Sequence, residues 1–327
     1  MDEVQGGKVS EKTEVPTLEQ YYKLFKQSYL DTAVKATTRY IYENNFSNHI
    51  LPKLGQRKLD DITRLDIETF IAHLIRDKGL TRTTIRIIMS NLTACLNHAI
   101  EHDIIAKNPT FKTAKLYRRA PVRQKEIKPL NEEETCRFLE VIWKYSRRYY
   151  ELFLMALHTG MRSGELAGLQ WDDVHFKGKY LMVKRQVVWG KVQSTKGNNM
   201  RRIDLSTALL EALQHLKRKR REEWLAKGKN EIPAWVFCNQ EGNPLDMNNI
   251  KNRHFHPRLK TAGLRSIRFH DLRHTFATLL IQNGEPIAYV QKQLGHSSIK
   301  LTVDTYTHWM PGKNREAMDR LPVLAIR

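Results

Sequence analysis

The sequence predicts a mainly α fold with one small antiparallel β-sheet, divided between two domains. Three observations carry that prediction. A chain of 327 residues is longer than one hydrophobic core usually serves. Apolar residues recur at helical spacing, as in Ile85, Ile88, Leu92, Leu96 and Ala99. Only between Lys179 and Leu205 does the pattern change to short β-rich runs broken at Gly190 and at Gly197-Asn198-Asn199.

Residues 1–15 are polar, contain Gly6-Gly7, and read as a flexible lead-in. Residues 16–111 read as a helical bundle. Thr17 caps LEQYYKLFKQSYL, and Thr37 or Thr38 starts TRYIYENNFSNHIL, which stops at Pro52. Thr63 and Thr81 precede two more helices, and Asn108-Pro109 ends the bundle. Residues 112–130 read as a basic linker, with seven Lys or Arg and one Glu from Lys112 to Lys128. Such a stretch either lies along a phosphate backbone or is a solvated tether. The second domain, 131–312, opens on Asn131 and Glu134, a capping pair. Helix YYELFLMALHT ends at Gly160, the sheet follows, and helices return over 207–224, 247–262, 270–282, 286–294 and 298–308. Residues 313–327 form a tail that is apolar from Ala317 to Ile326.

Charge narrows the function. Lys and Arg total 55 against 35 Asp and Glu, a net +20 that favours a polyanionic partner, nucleic acid above all. The longest apolar runs, such as Leu152–Leu157, are too short to span a bilayer, and no charged-then-apolar signal opens the chain, so a cytoplasmic protein without a membrane partner is expected. Three widely spaced cysteines suggest a reducing compartment and no zinc site. His254 and His256 lack a third ligand nearby, so no metal is expected.

Four segments of the second domain offer chemistry. In HTGMRSGEL, Arg162 follows a helix-ending glycine; it can fork onto two phosphate oxygens, or simply pair with Glu165. Lys196 stands at the tip of a predicted hairpin, where most lysines are only solvated. His270 and Arg273 lie three apart, a cheap spacing that His73 with Arg76 also shows, but here set in a crowd of ionisable groups with Asp271 and His274. His296 follows Gly295, and Tyr306 sits ten residues on in a polar setting. Two arginines, two histidines, a lysine and a tyrosine suit phosphoryl transfer without a metal. The arginines clamp non-bridging oxygens, the tyrosine attacks in line, and the lysine protonates the leaving oxygen. Nearby cations would lower the phenol from its usual pKa of about 10.

In order and spacing, Arg162, Lys196, His270-x-x-Arg273, Gly295-His296 and Tyr306 resemble the tyrosine recombinases, the phage integrase family. TGMRSGEL, HDLRHTFAT, LGHSS and DTYTH are similar to its signature boxes, in the style of integrases of phages and integrative conjugative elements. The resemblance implies a two-domain DNA clamp, a helical core-binding domain plus a mixed α/β catalytic domain. It implies a site-specific recombinase that cleaves and rejoins DNA through a 3′-phosphotyrosyl intermediate and a Holliday junction, with neither ATP, metal nor other cofactor. Tyr306 would be the nucleophile, with Arg162, Lys196, His270, Arg273 and His296 as its catalytic partners and Glu165 in support. The implied partners are double-stranded DNA at attachment or core sites, a homo-tetramer on two duplexes, and an excisionase or host DNA-bending protein. The tail would dock on a neighbouring protomer, or else in cis. Lys35, Thr38 and Arg39 near one helix start, and Arg82, Thr83 and Arg86 near another, are the DNA-contact candidates. Many integrases carry a further N-terminal domain for arm-type sites; only residues 1–15 precede the bundle here, which leaves arm-site control open. A type IB topoisomerase and a catalytically silent DNA-binding module are the competing readings.

Overall fold

The computed structural model describes residues 14–122, 128–194, 200–296 and 298–306. The chain divides into two compact units, 1–125 and 126–327.

In the first unit, α1 (Leu18–Phe25) starts on a closed capping box: the Gln20 N–H donates to the Thr17 hydroxyl at 3.2 Å, and the Thr17 N–H donates to Gln20 Oε1 at 2.9 Å. A π turn and α2 (Asp31–Ala33) lead to α3 (Ala36–Asn45), whose N-cap is Lys35 rather than Thr37 or Thr38. Nor does the helical run stop at Pro52. It passes through a π turn, Phe46–Ile50, into α4 (Leu51–Leu54), with Pro52 in the first turn. The widened turn accommodates a ring that would clash inside a regular helix. Helices α5 (Arg64–Arg76) and α6 (Arg82–Glu101) start on Thr63 and Thr81 as read. Phe25, Phe46, Ile67, Leu74, Ile88, Leu92 and Leu96 form the core.

That core also takes in part of the expected linker. Thr113–Tyr117 is a 3-10 helix, and Tyr117 and Ala120 are buried with the bundle. Arg64 donates to the carbonyls of Pro109 and Phe111, tying this segment down. A single 3-10 turn needs too few apolar side chains to leave a period in the sequence, so only its basic composition was visible.

In the second unit, α7 (Glu132–Tyr145) closes the Asn131–Glu134 capping box. Helix α8 (Tyr150–Thr159) is apolar on nearly every face because it is central. After α9 (Ser163–Ala167) come β1 (Val174–His175), β2 (Tyr180–Val183), β3 (Arg185–Val188), β4 (Lys191–Ser194) and β5 (Arg201–Asp204). One sheet was expected; the described strands form two, β1-β2-β5 and the hairpin β3-β4, all antiparallel. The division falls at Lys184 and Arg185, both of which pair with the buried carboxylate of Asp173. Helices α10 (Thr207–Leu225), α11 (Met247–Ile250), α12 (His256–Thr261), α13 (Asp271–Gln282), α14 (Ile287–Leu294) and α15 (Ile299–Tyr306) complete the unit. Helix α8 packs against α7, α10 and α13. A smaller cluster of Phe276, Ala277, Ile281, Val290, Leu294 and Tyr306 joins α13, α14 and α15. No helix of the described residues is long and apolar enough to cross a membrane.

Candidate active site

The site is built on the C-terminal ends of two helices. Gly160 ends α8 and Gly295 ends α14, both with left-handed backbone, φ +59° and +67°. A Cβ on Gly160 would stand 2.6 Å from the Phe276 ring, so glycine is needed there for space as well as for φ. Arg273, from the first turn of α13, lies between the two ends. Its guanidinium donates to the carbonyl of Gly160 at 2.8 Å and to that of Leu294 at 2.6 Å. Carbonyls at helix C-termini carry partial negative charge and have no partner within the helix. They offset the cost of burying a group only 2% exposed. Burial, then the charges of Arg162 and Arg201, push Arg273 down to about 9, so it remains charged at neutral pH.

Arg162 is the N-cap of α9. Its backbone N–H donates to Glu165 Oε2 at 2.9 Å and its guanidinium to Oε1 at 2.9 Å. Glu165 also accepts a two-pronged contact from Arg201, at 2.9 and 2.6 Å. Burial alone would push the Glu165 carboxyl up; the hydrogen bonds and charge of Arg201, with Arg162 behind them, pull it down to about 2. Arg201 further donates to the Gln293 carbonyl at 3.2 Å, and its side chain lies where a Gly295 Cβ would be. Arg201 thus ties β5 to α9 and to the Gly295-His296 turn. Within MRRIDL it looks like any strand cation, and no local spacing marks it, because the carboxylate it answers is thirty-six residues away.

His270 immediately precedes α13 and, with Arg162, lines an open groove of about 690 Å³ bordered by the β3-β4 hairpin, Pro244–Asn248 and Lys251. Partial burial, then Arg273, Arg162 and Arg268, hold His270 below the ordinary histidine value. Asp271, in the same crowd, is taken up by Arg268 at 2.6 Å. His296 bonds Thr302 through Nδ1 at 2.8 Å, and burial with Arg273 and Arg162 brings it down to about 4.

Tyr306 differs most from its expectation. Its sequence surroundings are polar, yet the side chain is 0% exposed, packed in the α13-α14-α15 cluster. Its hydroxyl lies 2.7 Å from His274 Nδ1. The neighbouring cations do not leave its pKa low: burial raises the phenol to about 12, outweighing Arg273. Lys196 lies outside the described residues. The described hairpin of this region, β3-β4, turns at Trp189-Gly190.

Among the DNA-contact candidates, Lys35, Thr38, Arg82, Thr83 and Arg86 are exposed at or beside the starts of α3 and α6, whereas Arg39 is half-buried and paired with Asp31 at 3.0 Å. In the second unit the basic run on α10 is divided: Lys217, Arg218, Lys219 and Arg221 face solvent, while buried Arg220 donates to Cys238 Sγ at 2.7 Å.

Residues 128–312 match the model of the phage integrase family, and residues 17–75 that of its N-terminal SAM-like domain. The chain is 30% identical over 313 residues to a XerC-like tyrosine recombinase of Caldanaerobacter subterraneus subsp. tengcongensis, covering 89% of this chain and 79% of that one. It is 28% identical over 290 residues to the ICEBs1 integrase of Bacillus subtilis, covering 86% and 76%. In fold it is similar to the Tn1549 transposon integrase solved with circular-intermediate DNA, at TM-score 0.74 and 24% identity, covering 94% of this chain and all of that one. It is also similar to a lambda integrase tetramer solved on a Holliday junction, at TM-score 0.69 and 20% identity, covering 92% and 80%. The ordered motifs, the fold and these matches agree: the chain belongs to the phage integrase family, the tyrosine site-specific recombinases, enzymes that cleave and rejoin DNA strands.

Proposed function

We propose that this recombinase integrates and excises a mobile element, with Tyr306 as the nucleophile that joins a DNA 3′-phosphate. The observation that carries the assignment of the site is its charge. Arg162, Arg201 and Arg273 are gathered around one buried carboxylate, Glu165, which leaves two positive charges over. A phosphodiester entering beside them is the anion that balances the excess. Arg162 and Arg273 stabilise the non-bridging oxygens as charge builds on them. His270 and His296, neutral at pH 7, add hydrogen bonds. Lys196 gives its proton to the leaving 5′-oxygen. The freed 5′-hydroxyl of one duplex then attacks the phosphotyrosyl bond on its partner, and two such rounds pass through a Holliday junction. Because the bond energy is kept in the protein–DNA link, the reaction consumes no ATP.

The working assembly is a homo-tetramer on two duplexes, with the helical unit as core-type DNA-binding domain and the second unit as catalytic domain. Each unit contributes its own contacts to the DNA. Lys35, Thr38, Arg82, Thr83 and Arg86 make the first unit's DNA contacts, with Arg39 held in place by Asp31, and the tail docks on a neighbouring protomer. An excisionase or host DNA-bending protein sets direction.

The deciding experiment uses a duplex of the element's own attachment core, nicked so that the cleaved strand escapes. Tyr306→Phe is expected to bind it in gel shift like the wild type and to form no covalent adduct. An adduct from the Phe variant would remove Tyr306 from the role. Supercoil relaxation with no strand exchange on any paired site would replace recombination by topoisomerase action.

A further inference from the structure

We propose that His274 is a further catalytic residue, accepting the phenolic proton as the Tyr306 oxygen attacks phosphorus. The inference rests on the reading of Tyr306 as nucleophile. Its basis is direct contact: His274 Nδ1 is 2.7 Å from the Tyr306 hydroxyl, with the ring planes tilted by 53°. The other histidines are engaged otherwise. His296 Nδ1 is bonded to Thr302, and the His270 ring stands edge-on to His274 and borders the groove.

The protonation of the pair follows from the burial and the charges around it. His270, Asp271, Arg268, Arg273 and His296 are the titratable and charged groups about the His274–Tyr306 pair. Burial and the positive members of that set hold His274 down to about 4, while burial holds Tyr306 up to about 12. At neutral pH both groups are therefore uncharged, and with the imidazole proton on Nε2 its Nδ1 accepts from the phenol. Asp271, the carboxylate nearest in sequence, is occupied by Arg268. An arriving phosphodiester brings the negative charge that this cluster lacks, which raises the basicity of His274 as attack begins.

The step balances without a further reactant. The Tyr306 oxygen–phosphorus bond forms, the phosphorus–O5′ bond breaks, and the phenolic proton moves to His274 Nδ1. The leaving O5′ takes its proton from a separate donor, Lys196 in the function proposed above. On rejoining, each proton returns.

The test compares wild type, His274→Asn and Tyr306→Phe on the nicked attachment-core duplex, reading adduct formation from pH 6 to 9 alongside gel-shift binding. Asparagine offers an oxygen that accepts the phenol's hydrogen bond and is too weakly basic to take its proton. The expected result is unchanged binding, with adduct formation about 100-fold slower at pH 7. That deficit should shrink as pH rises and hydroxide replaces the imidazole. Wild-type speed in His274→Asn, or a deficit that does not change with pH, overturns the proposal. So does full rescue by a substrate with sulfur in place of the bridging 5′-oxygen, which would place His274 at the leaving group. Should His274→Asn lose thermal stability, His274→Gln is subjected to the same comparison. The two readings fail separately: an adduct from Tyr306→Phe removes the nucleophile, whereas an inert Phe variant beside a fully active Asn variant removes only His274.

Discussion

Glu165 is the residue on which the charges of the site turn, because it is the buried carboxylate that Arg162 and Arg201 share. Removing one partner of a buried ion pair typically costs about 3–5 kcal/mol, since the other charge is left uncompensated. Glu165→Gln is therefore expected to lower the melting temperature at neutral pH and to slow cleavage by freeing Arg162. The acid limb of stability supplies a second check. The folded-state pKa, about 2, lies below the unfolded value of about 4.3. The contribution of Glu165 is thus full above pH 4.3 and is lost as pH falls towards 2. Melting curves across that range should show a steeper loss for wild type than for the variant. Equal slopes would mean that the carboxyl is not held by its arginines.

At the scale of elements, the site depends on how α8 and α14 end. A side chain at Gly160 meets Phe276 at 2.6 Å and Leu294 at 2.9 Å while forcing a left-handed backbone on a residue that resists it. Gly160→Ala is expected to cost about 1–3 kcal/mol, measured by denaturant unfolding, and to displace a carbonyl that holds Arg273. Cleavage should therefore fall by more than binding does. Equal losses in cleavage and gel-shift assays would assign Gly160 to stability alone. The elements also explain which parts of the sequence misled. Pro52 reads as a stop, but a π turn carries the helix past it. Leu116 and Tyr117, within a basic stretch that reads as linker, pack on the helical core through one short 3-10 turn.

For the whole molecule the dominant quantity is its charge. With +20 in excess, binding of duplex DNA should weaken steeply as salt rises, by roughly 10³-fold or more between 50 and 200 mM if six or more phosphates are neutralised. Titrating gel-shift affinity against salt measures the slope, and a flat response would contradict an extended phosphate contact. The basic residues are not equivalent in this respect. Arg220 is buried against Cys238 and Arg39 is paired with Asp31, so neither adds freely to the slope, whereas Lys35, Arg82 and Arg86 stand exposed.

The sequence by itself determined the helical class, the helix starts at Thr17, Thr63, Thr81 and Asn131, and the family. These are written in local spacing: a cap and its answering side chain lie three residues apart, and each signature box occupies a few consecutive positions. Tertiary structure alone decided what surrounds each group. Tyr306 sits among polar neighbours in the chain and among Phe276, Val290 and Leu294 in space, so its phenol is raised where its sequence suggested lowering. Arg201 and Glu165, and His274 and Tyr306, meet across thirty-six and thirty-two residues. Burial and long-range charge set the protonation of such groups, and both arise only when distant segments pack together.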